Sequence, residues 1–380
     1  MPHIFSTLST LRPPPATSSP LIIGLTTATA AAILAFFTLR PPPTPLPGVI
    51  PSPRELLGDL TDKEKDYLPY PPDVLLYGRW VDTPYGVIRV YEFGPAKGRK
   101  VVFVHGISTP CPVARDLLWD LVGRGCRVLT FDLYGRGYSD TPLTPHDHRL
   151  FSSQIIFALS SSTLHWTNFT LIGYSLGGGI SVSFTSHFPH MIDELILLAP
   201  TGILKKSRLG LLHRMVHSGW IPSALATLLV GRQLKARQAQ DSSRRVASDP
   251  MDRAVVLDVP SISEWQSREH RGFLYSFFSS FKYGPLYGRQ EEWAIVGEHL
   301  REAGKRILIL LAKNDTDIDP ALLPEMLELL RGGEHGGQEP ERVVGIVADG
   351  AHDFVRMKGR MLAGYIEEFW KDSRSMDWVY

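Results

Sequence analysis

Gly173-Tyr174-Ser175-Leu176-Gly177-Gly178 joins two unlike runs. Before it, Asn168 to Gly173 is apolar and β-forming, and is predicted to be a strand. After it, Gly177 to Phe188 is rich in small residues and is predicted to be a helix. A serine on a tight strand-to-helix turn carries its hydroxyl clear of the sheet. Bulky side chains two positions before or after it would strike the neighbouring strand and helix, so glycines flank it. The helix N-terminus also brings partial positive charge to where an acyl transfer develops negative charge. An ordinary glycine turn has the same letters, so Ser175 needs partners.

Outward from the turn, the chain alternates strands and helices. Gly86 to Glu92, Lys100 to His105, Arg127 to Asp132, Glu194 to Ala199, Arg306 to Ala312 and Arg342 to Val347 read as strands. Ala114 to Gly123 and Leu150 to Leu164 read as helices. Most of the strands are continuous aliphatic runs, as expected of strands buried on both faces. This rhythm predicts a mostly parallel sheet with helices on both sides. Asp315 follows the strand ending at Ala312, and His352 follows the strand ending at Val347. The order is serine, acid, histidine.

Five segments now stand in register: His105-Gly106 after a strand, the run Asp132 to Asp140, the Ser175 turn, Asn314-Asp315, and Gly350-Ala351-His352. Over residues 74–372 the sequence resembles the α/β-hydrolase fold superfamily, of the serine esterase-lipase type with a helical cap. The resemblance implies that Ser175 attacks a carbonyl carbon, that His352 takes its proton and returns it to the leaving group, and that Asp315 orients the imidazole. It implies an oxyanion hole from the backbone amides of Ile107 and Leu176. It implies neither cofactor nor metal. Ala312 stands where the family often has glycine, and Asp317 and Asp319 follow closely; Asp315 fits the usual spacing best.

The resemblance also places a cap insertion at about 202–300. Leu209 to Val230 is strongly apolar, and Trp265 to Trp293 is dense in aromatics. These residues are expected to pack the cap, to line an apolar substrate pocket, or to dip into a membrane. Elsewhere, His105 reads as a structural residue of the oxyanion loop. Asp132 is expected to tether that loop, or to cap its turn through Arg136. His146-Asp147-His148 resembles a metal-ligand set only superficially and reads as loop decoration without a strand or helix to fix it. Cys111 and Cys126 read as two buried thiols, with a single bridge as the alternative.

The 380 residues carry 40 Lys plus Arg against 39 Asp plus Glu, for a net charge of +1, and 43% are hydrophobic. That excludes a long disordered chain, a basic nucleic-acid binder and a multi-pass membrane protein. Half of the 30 prolines lie between Pro2 and Pro72. Within this front segment, residues 1–20 form a tail and 21–39 are uncharged and proline-free. At 1.5 Å rise per residue such a run spans roughly 28 Å, close to a bilayer core. It is expected to be a single transmembrane anchor, with a cleaved signal peptide as the rival. Residues 40–73 are expected to be a proline-rich linker, with a short amphipathic helix from Glu55 to Asp66. Arg40 and Arg54 beyond the span favour a cytosolic catalytic domain, with a lumenal one as the alternative. The sequons at Asn168 and Asn314 read as unusable, the first because it begins a buried strand.

The sequence therefore predicts a membrane-anchored serine hydrolase acting on a small-molecule or lipid ester, with no nucleic-acid partner. A C–C bond or lactone hydrolase with the same triad is the alternative, and a non-catalytic receptor or scaffold of this fold is a third reading.

Overall fold

A computed structural model describes residues 48–205, 258–332 and 342–371. The apolar runs form the middle of one eight-stranded sheet in the order β10-β9-β8-β7-β4-β5-β3-β2. The strands are β2 (Gly78–Thr83), β3 (Gly86–Phe93), β4 (Arg99–Val104), β5 (Cys126–Phe131), β7 (Phe169–Tyr174), β8 (Ile192–Leu198), β9 (Arg306–Ala312) and β10 (Val343–Ala348). From β10 to β5 neighbours run parallel, while β3 is antiparallel to β5 and β2 to β3. The aliphatic residues of β4, β7 and β8 are buried along nearly their whole lengths, which is why those stretches lack a polar alternation.

The described helices are α1 (Asp62–Asp66), α2 (Arg115–Gly123), α3 (His148–Ser160), α4 (Leu176–His187), α5 (Val259–Glu269), α6 (Phe273–Tyr283), α7 (Gln290–Glu302), α8 (Leu323–Arg331), α9 (Phe354–Met357) and α10 (Gly359–Lys371). One group, α2 with α9 and α10, packs together; a second runs α3, α4, α7, α8. Both groups cover the sheet, as the alternating sequence predicts. The two cysteines are free and buried.

Several expectations change. Strand β2 was not foreseen: Arg79, Trp80 and Asp82 dilute its apolar pattern, and as an edge strand it does not need one. The linker expected over 40–73 is folded onto the body from Gly48 onward. Val49–Ile50 (β1) pairs antiparallel with Thr141–Pro142 (β6), and the Ser52 amide donates to Asp140 at 2.8 Å. Tyr70 is fully buried and its hydroxyl donates to Asp132 at 2.8 Å. The helix expected from Glu55 to Asp66 is two pieces, a 3-10 segment Pro53–Asp59 and then α1. Thr61 restarts the helix by capping it: its hydroxyl accepts from the Glu64 amide while Glu64 accepts from the Thr61 amide. Asn168 lies one residue before β7, exposed, with its amide on the His190 carbonyl, so the burial argument against its sequon falls away.

The insertion between β8 and β9 begins and ends in described chain. Its last helix, α7, packs on α4 and α8 and so covers the sheet, leaving α5 and α6 as the described cap helices. Trp265, Phe273, Phe278 and Trp293 are buried packing residues, whereas Tyr283 is exposed. The apolar runs 21–39 and 209–230 lie outside the described residues. Among the described residues, no helix is long and apolar enough to cross a membrane.

Candidate active site

Ser175 sits between β7 and α4 with φ 55° and ψ −119°. A non-glycine residue with positive φ costs on the order of 1–3 kcal/mol, so its surroundings must hold it there. They do. The Ser175 amide donates to Leu198 O at 3.0 Å, and its carbonyl accepts from Gly178 at 2.9 Å and Thr201 at 3.0 Å. A Cβ on Gly177 would strike the carbonyl oxygens of Val104 and His105, and one on Gly173 the Gly177 carbonyl and Ser181 hydroxyl. The two glycines are required by backbone contact, in the directions the turn demands.

Asp315 and His352 lie beyond β9 and β10, on loops joined by backbone hydrogen bonds. Lys313 N–H donates to Ala348 O and Asn314 N–H to Gly350 O, each at 2.8 Å. This brings the three expected residues into line. His352 Nε2 is 3.1 Å from Ser175 Oγ, and His352 Nδ1 is 2.8 Å from Asp315 Oδ2. A carboxylate only accepts, so Nδ1 carries the ring proton and Nε2 is the bare nitrogen facing the hydroxyl. The Asp315 carboxylate is fully buried, and its other oxygen accepts from the Asp317 and Ile318 amides at 2.8 Å each. Asp317 is exposed, and the carboxylate that bonds Nδ1 is that of Asp315. Burial alone would lower the His352 pKa. The hydrogen bond to Asp315 and the charges of Asp315, Asp317 and Asp353 outweigh it and hold it above the ordinary 6.5.

Leu176 is the first residue of α4, directly after the serine. Ile107 lies in the loop after β4, and that loop packs on the serine: a Cβ on Gly106 would lie 3.2 Å from Ser175 Cβ. Among the described residues, neither the Leu176 nor the Ile107 amide meets an acceptor. An oxyanion site requires two amides left open in this way.

His105 is structural, as expected. Its Nε2 accepts from the Leu133 amide at 2.8 Å, so Nδ1 holds the proton and donates to Gly106 O at 2.8 Å. Burial pushes its pKa down to about 3, and the ring stays neutral. Asp132 tethers the far end of the same loop by accepting from Cys111 N–H at 3.0 Å, together with Tyr138 N–H and the Tyr70 hydroxyl. It does not act through Arg136. That guanidinium donates instead to Ile107 O, Tyr134 O and Ser280 Oγ, each at 3.0 Å. Arg136 is fully buried among neutral acceptors, and burial lowers its pKa to about 9.

His146-Asp147-His148 is not loose decoration. Asp147 caps α3 by accepting from the Arg149 and Leu150 amides, and His146 is fully buried with its amide on Ser279 Oγ. Among the described residues, no group of three or more His, Cys, Asp or Glu could hold a metal ion.

Sequence reasoning missed two residues here, Tyr174 and Gln266, and gave a third, Arg136, the wrong partner. Tyr174 donates its hydroxyl to the His352 carbonyl at 2.8 Å. Gln266 of α5 reaches the Ser108 carbonyl at 3.0 Å, and Arg136 the Ile107 carbonyl. No local pattern reveals these bonds, because each reaches backbone far away in sequence.

A Gly-Tyr-Ser-Leu-Gly turn at the C-terminal end of the interior strand β7, with an aspartate and a histidine beyond the ends of β9 and β10, defines a class. The chain belongs to the alpha/beta hydrolase fold family, whose model matches residues 100–332. Among curated relatives, an uncharacterized protein of Mycobacterium tuberculosis is 29% identical over 123 residues, covering 32% of this chain and 35% of that one. A serine hydrolase-like protein of Mus musculus is 31% identical over 121 residues, covering 31% of this chain and 38% of that one. The chain thus spans little more than a third of the length of these relatives. Among solved structures, a membrane phospholipase A superposes with a TM-score of 0.58 at 18% identity, over 92% of this chain and 97% of that one. At that identity the likeness concerns the fold.

Proposed function

We propose that this chain is a serine hydrolase that cleaves a carboxylic ester, in a small molecule or a lipid, through an acyl-enzyme on Ser175. The carrying observation is the unbroken line from Ser175 Oγ to His352 Nε2 at 3.1 Å and from His352 Nδ1 to Asp315 at 2.8 Å. Ser175 Oγ attacks the ester carbonyl as its proton passes to Nε2. Negative charge on the carbonyl oxygen is met by the Ile107 and Leu176 amides and by the N-terminus of α4. The imidazolium then protonates the departing alkoxide. Water repeats the cycle and frees the acid. A receptor or scaffold would have no use for a strained serine in line with a buried acid.

In the same reading, residues 21–39 anchor the domain to a bilayer. The support is their length and lack of charge.

The test is a fluorophosphonate probe. Wild type should be labelled and Ser175→Ala should not; equal labelling would remove Ser175 as nucleophile. For the anchor, deleting residues 1–45 should release the protein from membranes, and persistent pelleting would move the membrane contact elsewhere.

A further inference from the structure

The oxyanion loop is held by its carbonyls. Gly106 O accepts from His105 Nδ1, Ile107 O from Arg136 Nε, and Ser108 O from Gln266 Nε2, at 2.8, 3.0 and 3.0 Å. In a trans peptide the C=O and N–H point in opposite directions. Fixing the Gly106 carbonyl therefore fixes the direction of the Ile107 N–H, which shares its peptide plane. Fixing the next two carbonyls removes the rotations by which that plane swings.

Two of these three holds reach into the described cap helices. Gln266 belongs to α5 and is fully buried. Its oxygen accepts from the Gly137 amide at 2.8 Å, which leaves its NH2 for Ser108 O. Arg136 donates to Ser280 of α6 as well as to Ile107. A buried guanidinium with only neutral acceptors is costly, and its three bonds all go to the loop, its own turn and the cap.

We infer that Gln266 and Arg136 are positioning residues that couple the seating of α5 and α6 to the aim of the Ile107 oxyanion donor. This rests on the serine hydrolase reading above. Neither side chain touches the reacting atoms. Each acts through a carbonyl of the loop, so full transition-state stabilisation requires the cap helices to be docked.

The experiment uses the full chain, p-nitrophenyl acyl esters as substrates and a trifluoromethyl ketone. The ketone adds Ser175 Oγ to its carbonyl and leaves an alkoxide in the oxyanion site. Active sites are counted by fluorophosphonate titration. Gln266→Leu removes the donor to Ser108. It should lower kcat per titrated site about tenfold and weaken the ketone by the same factor, with KM within about twofold, since a misaimed donor is lost only where charge develops. Ser280→Ala, a milder change that leaves Arg136 on the loop, should give about threefold in the same two quantities. It keeps the test alive if Gln266→Leu does not fold. A purely structural role would reduce the number of titratable sites while kcat per site and ketone affinity stay as in wild type, and that result overturns the coupling. If wild type itself neither labels nor turns over ester, the hydrolase reading fails and the coupling falls with it. If wild type is active and the variants match it, only the coupling fails.

Discussion

The residue before Ser175 holds the backbone of His352: Tyr174 donates its hydroxyl to the His352 carbonyl at 2.8 Å, and the two ring centroids lie 5.4 Å apart. The turn that strains Ser175 and the loop that carries His352 are thereby one unit. Tyr174→Phe keeps the ring and removes the bond. It should cost about 1 kcal/mol of stability and lower kcat by about three- to tenfold with little change in KM. Steady-state kinetics beside thermal unfolding would check this; unchanged kcat would mean that the His352 loop is held without Tyr174.

Asp315→Asn leaves the shape of the acid and removes its charge. The variant should lose about 10³- to 10⁴-fold in kcat, because the favoured tautomer and the stabilised imidazolium go together. With the carboxylate gone, burial governs the ring and its pKa should drop below 6.5. The acid limb of the kcat/KM profile should move to lower pH even as the rate falls. An acid limb that stays in place would mean that another group sets it.

Activity and stability should run against each other with pH. Catalysis needs neutral His352, so kcat/KM should rise through a pKa above 6.5. The folded protein binds this proton more tightly than the unfolded chain does. The contribution to stability is complete below the unfolded value near 6.5 and is lost as pH rises through the folded one. Relative to His352→Ala, the wild-type melting temperature should therefore decline across the interval in which turnover climbs.

Gly177→Ala should fail on backbone grounds. The added methyl would meet carbonyl oxygens of Val104 and His105 at the end of β4, neither of which is a flexible side-chain end. We expect a loss of about 1–3 kcal/mol and loss of fluorophosphonate labelling. Normal labelling at normal stability would show that the turn relaxes without disturbing β4.

Truncation should find an edge near Gly48. Removing residues 1–47 spares β1, the Ser52 bond and Tyr70, and the truncated domain should keep its melting temperature. Removing residues 1–75 takes Tyr70 away and leaves buried Asp132 short of its hydroxyl donor. Tyr70→Phe isolates that single bond and should cost about 1–3 kcal/mol, measured by urea unfolding.

The elements that position the site were legible because each is encoded locally. Aliphatic runs mark β4, β7, β8 and β9, and two glycines mark the Ser175 turn. What was not legible depends on single long-range contacts. The proline-rich stretch before Pro72 has the composition of a spacer, yet Tyr70, Ser52 and Pro53 bury it against Asp132, Asp140 and β6. Strand β2 hides behind Arg79 and Asp82. Arg136 pointed toward Asp132 in sequence because opposite charges four apart suggest a pair. In the fold the carboxylate is filled by two amides and a tyrosine, and the arginine turns to carbonyls.

The ladder between β9 and β10 runs from Val343 opposite Ile307 to Ala348 opposite Ala312, and then on through Lys313 and Asn314. Asp315 and His352 are thus assembled on each other, while Ser175 and the loop through Gly106 are assembled on β7 and β4. These are two halves, joined across the sheet where β8 meets β9 from Glu194 to Leu198 and, above it, by the Tyr174 bond to His352. Fragments divided between β8 and β9 would each be inert. On the proposed hydrolase reading, ester turnover on mixing them would report reassociation of the sheet itself, and the line Ser175–His352–Asp315 would serve as a built-in sensor of fold complementation.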